Sequence, residues 1–186
     1  MSIKKLILIG ASTGGPGQIQ KIVKYIKEDF LGTIIIVQHM QSAYLHSFVK
    51  QLNNNCALEV KLSIDTDVLR EGKVYILLNN CEIKEQNGEL RFSRYQDMLS
   101  YSPNINLLFN SASKIKKDIK IMGVILTGIG DDGAKGALEL AKSGATCINE
   151  SKESSIVYGM PKAANELNPS ALQLGIDEIC AKIEEF

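Results

Sequence analysis

The chain has 186 residues, 45% of them hydrophobic and 23% charged. These are the proportions of one globular domain that can bury roughly two thirds of its unfolded surface without metal or disulfide staples. Lysine plus arginine balance aspartate plus glutamate at 21 each, which removes bulk electrostatics as a reason to bind nucleic acid or an anionic membrane. Only His39 and His46 are available to a mechanism that needs an imidazole.

Short apolar runs alternate with helical periodicity along the chain. The N-terminal run Leu6–Ile9 follows two lysines and is too short for a signal-peptide core or a membrane span, so it reads as a buried first strand of a cytoplasmic protein. Ile19, Ile22, Val23, Ile26 and Phe30 share one helical face behind Pro16. Thr33–Val37 is a second strand, and Ser42 is placed to cap a helix with the stripe Leu45, Phe48, Val49 and Leu52. Leu58–Leu62 alternates, Val74–Leu78 is apolar, and Ile83–Glu85 and Leu90–Phe92 flank the hairpin turn Asn87-Gly88; the whole middle segment is expected to be antiparallel. Ser102-Pro103 reads as an N-cap and first helical residue ahead of Leu108, Phe109, Ala112 and Ile115. Ile121–Leu126 (strand), Ala134–Ala141 (helix), Ala145–Ile148 (strand) and Ile176–Ile183 (helix) complete the series. Wholly apolar strands between helices predict an α/β fold, a doubly wound, mostly parallel sheet with helices on both faces and an antiparallel hairpin segment in the middle, in one domain over residues 1–186.

The four cysteines, Cys56, Cys81, Cys147 and Cys180, are far apart and lack metal-ligand spacing, so they read as small buried side chains with no metal site. Chemistry is expected at the carboxyl edge of the sheet, where the first strand runs into Gly10-Ala11-Ser12-Thr13-Gly14-Gly15-Pro16-Gly17. Three readings of that stretch are open: a plain strand-to-helix turn, a phosphate or dinucleotide cradle, and an exposed nucleophilic serine. The second lacks the Lys-Ser/Thr of a P-loop. Tyr158 and Lys162 match the catalytic spacing of short-chain dehydrogenases, but Gly159 and Pro161 interrupt the helix they would have to share. For the third, Gly-x-Ser-x-Gly allows a tight turn that presents the Ser12 hydroxyl, and the Thr13 amide behind it points to where an oxyanion would form.

A serine needs a base, and His39 closes the second strand on the same edge, whereas His46 falls within the next helix. An acid must then hold the imidazole, and Thr127-Gly-Ile-Gly-Asp-Asp-Gly133 offers Asp131 or Asp132, with the Ile129 amide as a second oxyanion donor. From spacing alone, either aspartate could serve as the acid and the other as a helix cap.

Four blocks carry a resemblance: Ile9-Gly-Ala-Ser-Thr-Gly-Gly15, Val37-Gln-His-Met40, Leu126-Thr-Gly-Ile-Gly-Asp-Asp-Gly-Ala134 and Val157-Tyr-Gly-Met-Pro-Lys-Ala-Ala164. In order and spacing the chain resembles the catalytic domain of CheB-type chemotaxis protein-glutamate methylesterases. The resemblance implies a cofactor-free hydrolase that demethylates γ-glutamyl methyl esters on the cytoplasmic helices of methyl-accepting chemoreceptors, resetting them in adaptation, with some members also deamidating glutamines. Other chemotaxis signalling proteins are conceivable further partners. By position Ser12 matches the nucleophile, His39 the base and Asp132 the acid; Thr13 matches a threonine that helps place the histidine, and Ile129 stands where a methionine amide serves the oxyanion hole. The family's full-length members usually begin with a phosphorylatable receiver domain. Here the first strand begins within a few residues of Met1, so a catalytic domain without that switch, active without phosphorylation of this chain, is expected. Gln41, Leu78–Glu82 and Pro103-Asn-Ile-Asn106 depart from the family pattern at segments that bear on substrate docking. Against this reading stand an NAD(P)-dependent oxidoreductase and a receptor-binding adaptor with vestigial catalysis.

Overall fold

A computed structural model describes residues 3–115 and 118–186. Its strands, numbered in chain order, are β1 (Lys5–Ala11), β2 (Thr33–Gln38), β3 (Glu59–Leu62), β4 (Lys73–Ile76), β5 (Cys81–Gln86), β6 (Glu89–Arg94), β7 (Lys120–Ile125), β8 (Thr146–Glu150) and β9 (Leu172–Leu174). Among the described residues, seven of them form one parallel sheet in the order β3-β4-β2-β1-β7-β8-β9, while β5 and β6 pair antiparallel in a separate hairpin. The helices are α1 (Gly15–Tyr25), α2 (Ser42–Asn55), α3 (Ile105–Ala112), α4 (Ala134–Lys142), α5 (Met160–Leu167) and α6 (Ile176–Glu185).

The period-two geometry of β1 explains the layering. Ile7, Ile9 and Ala11 point into a core built with α1, α2 and α6; Leu6 and Leu8 point into a second core with α3, α4, α5 and the hairpin. Both faces of the central strands are therefore buried, which is why their runs are apolar throughout rather than alternating. The chain winds outward from β1 through β2, then starts again on the other side of β1 with β7. The ends of β1 and β7 thus face each other at the topological switch point, the crevice where open α/β sheets place their sites.

The expected doubly wound sheet with helices on both faces and a middle hairpin is what the chain forms, with several corrections of detail. Leu58–Leu62 and Val74–Leu78 are not antiparallel: β3 and β4 pair in parallel within the main sheet, and only the hairpin around Asn87-Gly88 runs antiparallel. The alternation in β3 reports an edge strand with one wet face, and that pattern is the same for either direction of pairing. Direction is set by residues 63–72, which carry the chain back across the sheet and bond to the hairpin through Leu69 N–H to Leu90 O and Phe92 N–H to Asp67 O, 2.8 and 2.9 Å.

Helix α1 ends at Tyr25, with Ile26 extended, although Ile26 and Phe30 still bury in the first core. Helix α2 is entered through Gln41, so Ser42 is its first residue rather than its cap. Ser102-Pro103 forms a cis peptide bond, and Asn104 caps α3 instead, its Oδ1 accepting from Leu107 N–H at 2.7 Å. Strand β9 is too short, at three residues, to have left a periodic signal. No helix among the described residues is long and apolar enough to cross a membrane.

Candidate active site

Parallel pairing brings the strand ends together. Gly10 and Ala11 lie beside Val37 and Gln38, and His39 N–H continues the ladder by donating to Ala11 O at 2.9 Å, so Ser12 and His39 leave adjacent strands at one level. Across the switch point Ser12 N–H donates to Thr127 O at 3.0 Å, which ties the serine turn to the loop after β7. Gly128 is pressed against this turn: a Cβ there would come within 2.7 Å of Ser12 Cβ and closer still to Met160 Sδ, so only glycine fits. Gly14 enters α1 with φ +84°, a left-handed conformation that makes the turn tight enough for the Ser12 side chain to remain half-exposed.

Asp132 is the aspartate that meets the histidine. Its side chain is fully buried, and its Oδ2 lies 3.0 Å from His39 Nε2. The same oxygen accepts from Ile105 N–H at 2.8 Å, and Oδ1 accepts from Asn106 N–H at 3.0 Å. The Ile105 and Asn106 amides can only donate, which suits an acceptor-only carboxylate, and they lie at the positive end of α3. An ionised carboxylate opposite Nε2 puts the ring hydrogen on that nitrogen and leaves Nδ1 with the free lone pair. Asp131, one residue away, is exposed and uses its carbonyl to receive Ala134 N–H at the start of α4. His46 is exposed on α2, away from any carboxylate contact among the described residues.

The Ser12 hydroxyl makes no hydrogen bond to His39 among the described residues, so the hydrogen bond that holds the ring is the one to Asp132. The Thr13 side chain is exposed, and its carbonyl accepts from Thr127 Oγ1 at 2.9 Å. The main-chain N–H groups of Thr13 and Ile129 donate to no protein acceptor among the described residues and flank the Ser12 turn. The Ile129 side chain is mostly exposed, so its contribution at this position is its backbone.

Several residues that pattern reading passed over brace this arrangement. Buried Gln38 donates through Nε2 to both Ser12 O and His39 O at 2.9 Å, bridging the two strand ends. Glu150, fully buried at the end of β8, accepts from Thr127 N–H at 2.8 Å, from Ser154 Oγ at 2.7 Å and from Gln18 Nε2. Thr127 Oγ1 in turn receives Val157 N–H at 2.8 Å. Tyr101 stacks on the His39 ring. The available signal was positional: Gln38 and Glu150 are buried polar residues that close apolar strands on the edge that carries Ser12 and His39. Tyr101 left no signal of that kind.

The dinucleotide reading loses its footing here. Tyr158 precedes α5 while Lys162 lies within it, facing Glu166 at 3.7 Å, and the Tyr158 hydroxyl receives Asn165 Nδ2 at 2.9 Å. Burial pushes the Cys147 and Cys180 thiols up to about 11, and burial together with Asp65 pushes Cys81 up to about 12, so these thiols are neutral near pH 7. Among the described residues no cluster of His, Cys, Asp and Glu is arranged to hold a metal ion.

A doubly wound α/β sheet whose switch-point edge gathers a serine turn, a histidine and a buried aspartate defines the class to which comparison can be made. Residues 7–183 match the family model described as CheB methylesterase, and the chain belongs to that family. It is 36% identical to a protein-glutamate methylesterase/protein-glutamine glutaminase of Colwellia psychrerythraea over 96% of this chain and 48% of that protein. To a like-named protein of Carboxydothermus hydrogenoformans it is 34% identical over 100% of this chain and 54% of that one. The chain thus spans about half the length of the curated relatives it matches. Its structure superposes on the crystal structure of the Thermotoga maritima CheB methylesterase catalytic domain with TM-score 0.92 at 34% identity, covering 100% of this chain and 99% of that one.

Proposed function

We propose that this chain hydrolyses the methyl esters of γ-glutamyl side chains on the cytoplasmic helices of chemoreceptors, acting in the cytoplasm by acyl transfer through Ser12. The observation that carries the reading is the His39–Asp132 contact of 3.0 Å, held by buried donors beside the serine turn. As substrate enters, the Ser12 hydroxyl turns to the imidazole, since catalytic hydrogen bonds commonly tighten only in the substrate complex. Nδ1 of His39 takes the hydroxyl proton while Oγ attacks the ester carbonyl. The carbonyl oxygen gains its negative charge between the Thr13 and Ile129 amides, each of which is worth about 2.7–4 kcal/mol of barrier in well-studied hydrolases. Asp132 remains ionised and balances the imidazolium, which then protonates the departing methoxide so that methanol leaves. Water, deprotonated by the same nitrogen, attacks the acyl-serine and releases the glutamate carboxylate. A glutamine side chain would follow the same path with ammonia as the leaving group, the second activity in the relatives' names.

The departures at Asn104 and Asn106 keep the backbone around Asp132 in place. Asn104 supplies the α3 cap, and Asn106 Oδ1 accepts Gly136 N–H at 2.7 Å, so both positions still bind backbone groups around Asp132. The deciding experiment is methanol release from methylated receptor membranes by the purified chain and by Ser12→Ala. Wild-type release that disappears in Ser12→Ala, with thermal stability held because the hydroxyl makes no hydrogen bond among the described residues, is the expected result. Release by Ser12→Ala at the wild-type rate would end the assignment.

A further inference from the structure

A histidine that works as a base must keep its ring plane, and χ2 of an imidazole is a broad, soft torsion. One hydrogen bond from Nε2 to Asp132 sets the position of one ring atom and leaves the ring free to rock. The Tyr101 ring supplies what that bond lacks: it lies parallel to the imidazole, 1° between planes and 5.0 Å between centroids. The contact covers one face of the base and sits three residues ahead of Asn104, the cap of α3, whose next two amides hold Asp132. One short segment, 101–106, therefore grips both members of the His39–Asp132 pair. The far end of Tyr101 reaches the other half of the site. A Cβ on Gly130 would come within 2.7 Å of the Tyr101 hydroxyl oxygen, so this side chain lies across the loop that carries the Ile129 amide.

We infer that Tyr101 is a positioning residue for the reaction, acting through His39: its ring face sets the imidazole plane and shields the Nε2–Asp132 hydrogen bond. The inference rests on His39 being the base in the methylesterase reading. The same face also meets the positive charge that His39 acquires as it takes the serine proton, and an aromatic face attracts a cation. Stacking is therefore stronger in the charged state on the reaction path than in the resting state, which makes the contact differential rather than uniform and places its effect in kcat. The hydroxyl is not the working group in this scheme, so phenylalanine preserves the function.

The test uses Tyr101→Phe, which keeps the ring, and two variants that remove it, Tyr101→Leu and Tyr101→Gln. Tyr101 is half-buried, and the polar Gln variant remains informative where leucine is not tolerated. The first readout needs no substrate: the Nε2–H proton of His39, held on a buried carboxylate, is followed as a downfield proton NMR resonance. The other histidine, His46, is exposed, so its ring protons exchange with water and do not interfere. The second readout is kcat and KM for methanol release from methylated receptor membranes. The expected result is a retained resonance and near wild-type turnover in Tyr101→Phe. The ring-less variants lose the resonance to exchange and fall by about tenfold in kcat at unchanged KM. A sharp resonance or wild-type kcat in the ring-less variants overturns the inference, and so does a Tyr101→Phe variant as impaired as they are. Absence of turnover in the wild-type chain would instead overturn the methylesterase reading, while the resonance would still report on the stack.

Discussion

Asp132→Asn separates stability from chemistry at the centre of the site. The carboxylate meets donors on both oxygens: His39 Nε2 and Ile105 N–H on Oδ2, Asn106 N–H on Oδ1. An asparagine amide has an oxygen on one side and an NH2 on the other, so one backbone N–H must face another donor. With Oδ1 toward His39 and Ile105, Asn106 N–H is stranded; with the amide reversed, Ile105 N–H is stranded and the imidazole is offered a hydrogen where it needs an acceptor. Leaving one buried donor unpaired costs about 2 kcal/mol, which for a chain of this length lowers Tm by about 4–8 °C. Turnover suffers far more, because either orientation removes the negative charge opposite the imidazolium and one reverses the tautomer. The equivalent change in a serine protease triad lowers kcat about 10⁴-fold. Thermal unfolding and methanol release measured on the same preparation check both numbers. Asp131→Asn is the control, expected to change stability by less than about 0.5 kcal/mol and to leave turnover intact. An Asp132→Asn variant within about threefold of wild-type kcat would refute the triad as drawn, because the lost charge should cost about 10⁴-fold.

Gly128→Ala should destabilise by about 1–3 kcal/mol and impair turnover, because its methyl group would press on Ser12 and Met160 at the switch point. Gly17→Ala, in the first turn of α1 with nothing within 4 Å of the added carbon, should instead stabilise by about 0.5–1 kcal/mol, read by urea unfolding. Glu150→Leu removes the acceptor of Thr127 N–H and should cost roughly 1–3 kcal/mol while lowering kcat, since the Ser12 turn hangs on Thr127 O; a stable, fully active variant would show the bridge to be idle. The buried thiols favour their neutral form in the folded chain, moving Cys147 from 9.0 to about 11. The unfolded chain therefore ionises first, and this contribution to stability is intact below pH 9 and is lost as pH rises toward 11. Denaturant unfolding across that window should show the loss, and Cys147→Ala should reduce its slope.

The layering of the fold was legible because burial on both faces leaves a compositional mark: Ile34, Ile35 and Ile36 are apolar in succession, which an edge or half-wet strand would not be. Strand direction was not legible in β3, since Glu59, Val60, Lys61 and Leu62 alternate for an edge strand of either sense. The cap of α3 departs from the Ser-Pro pattern for a local reason. Serine before proline is a strong cap pattern, but Asn104 competes one residue beyond the proline, and its side chain reaches Leu107 N–H. Ser12 and His39 were found because both close apolar runs, and in a parallel sheet all such ends share one edge.

The choice between Asp131 and Asp132 shows where one-dimensional reading stops and why. Both follow the same loop, both precede the same helix, and both carry the same charge. What distinguishes them is a pair of amides at Ile105 and Asn106, 27 and 26 residues earlier in the chain, that converge on one side chain and leave the other in solvent. The same holds for Tyr101, whose value depends on the face of a ring at the end of β2, and for Glu150, whose partners come from α1, the loop after β7 and the turn after β8. Each of these contacts joins segments that the sheet brings to one edge, and none has a spacing rule along the chain. A polar residue that closes a buried strand on the carboxyl edge is nonetheless a usable signal, because burial there must be matched by donors or acceptors from neighbouring ends. Glu150 meets that criterion through both carboxylate oxygens, and Gln38 through its Nε2, its buried Oε1 having no partner among the described residues. Gln38 ties the β2 end to the Ser12 turn after β1, and Glu150 at the β8 end holds Thr127 after β7, so the two together brace the serine turn from both sides of the switch point.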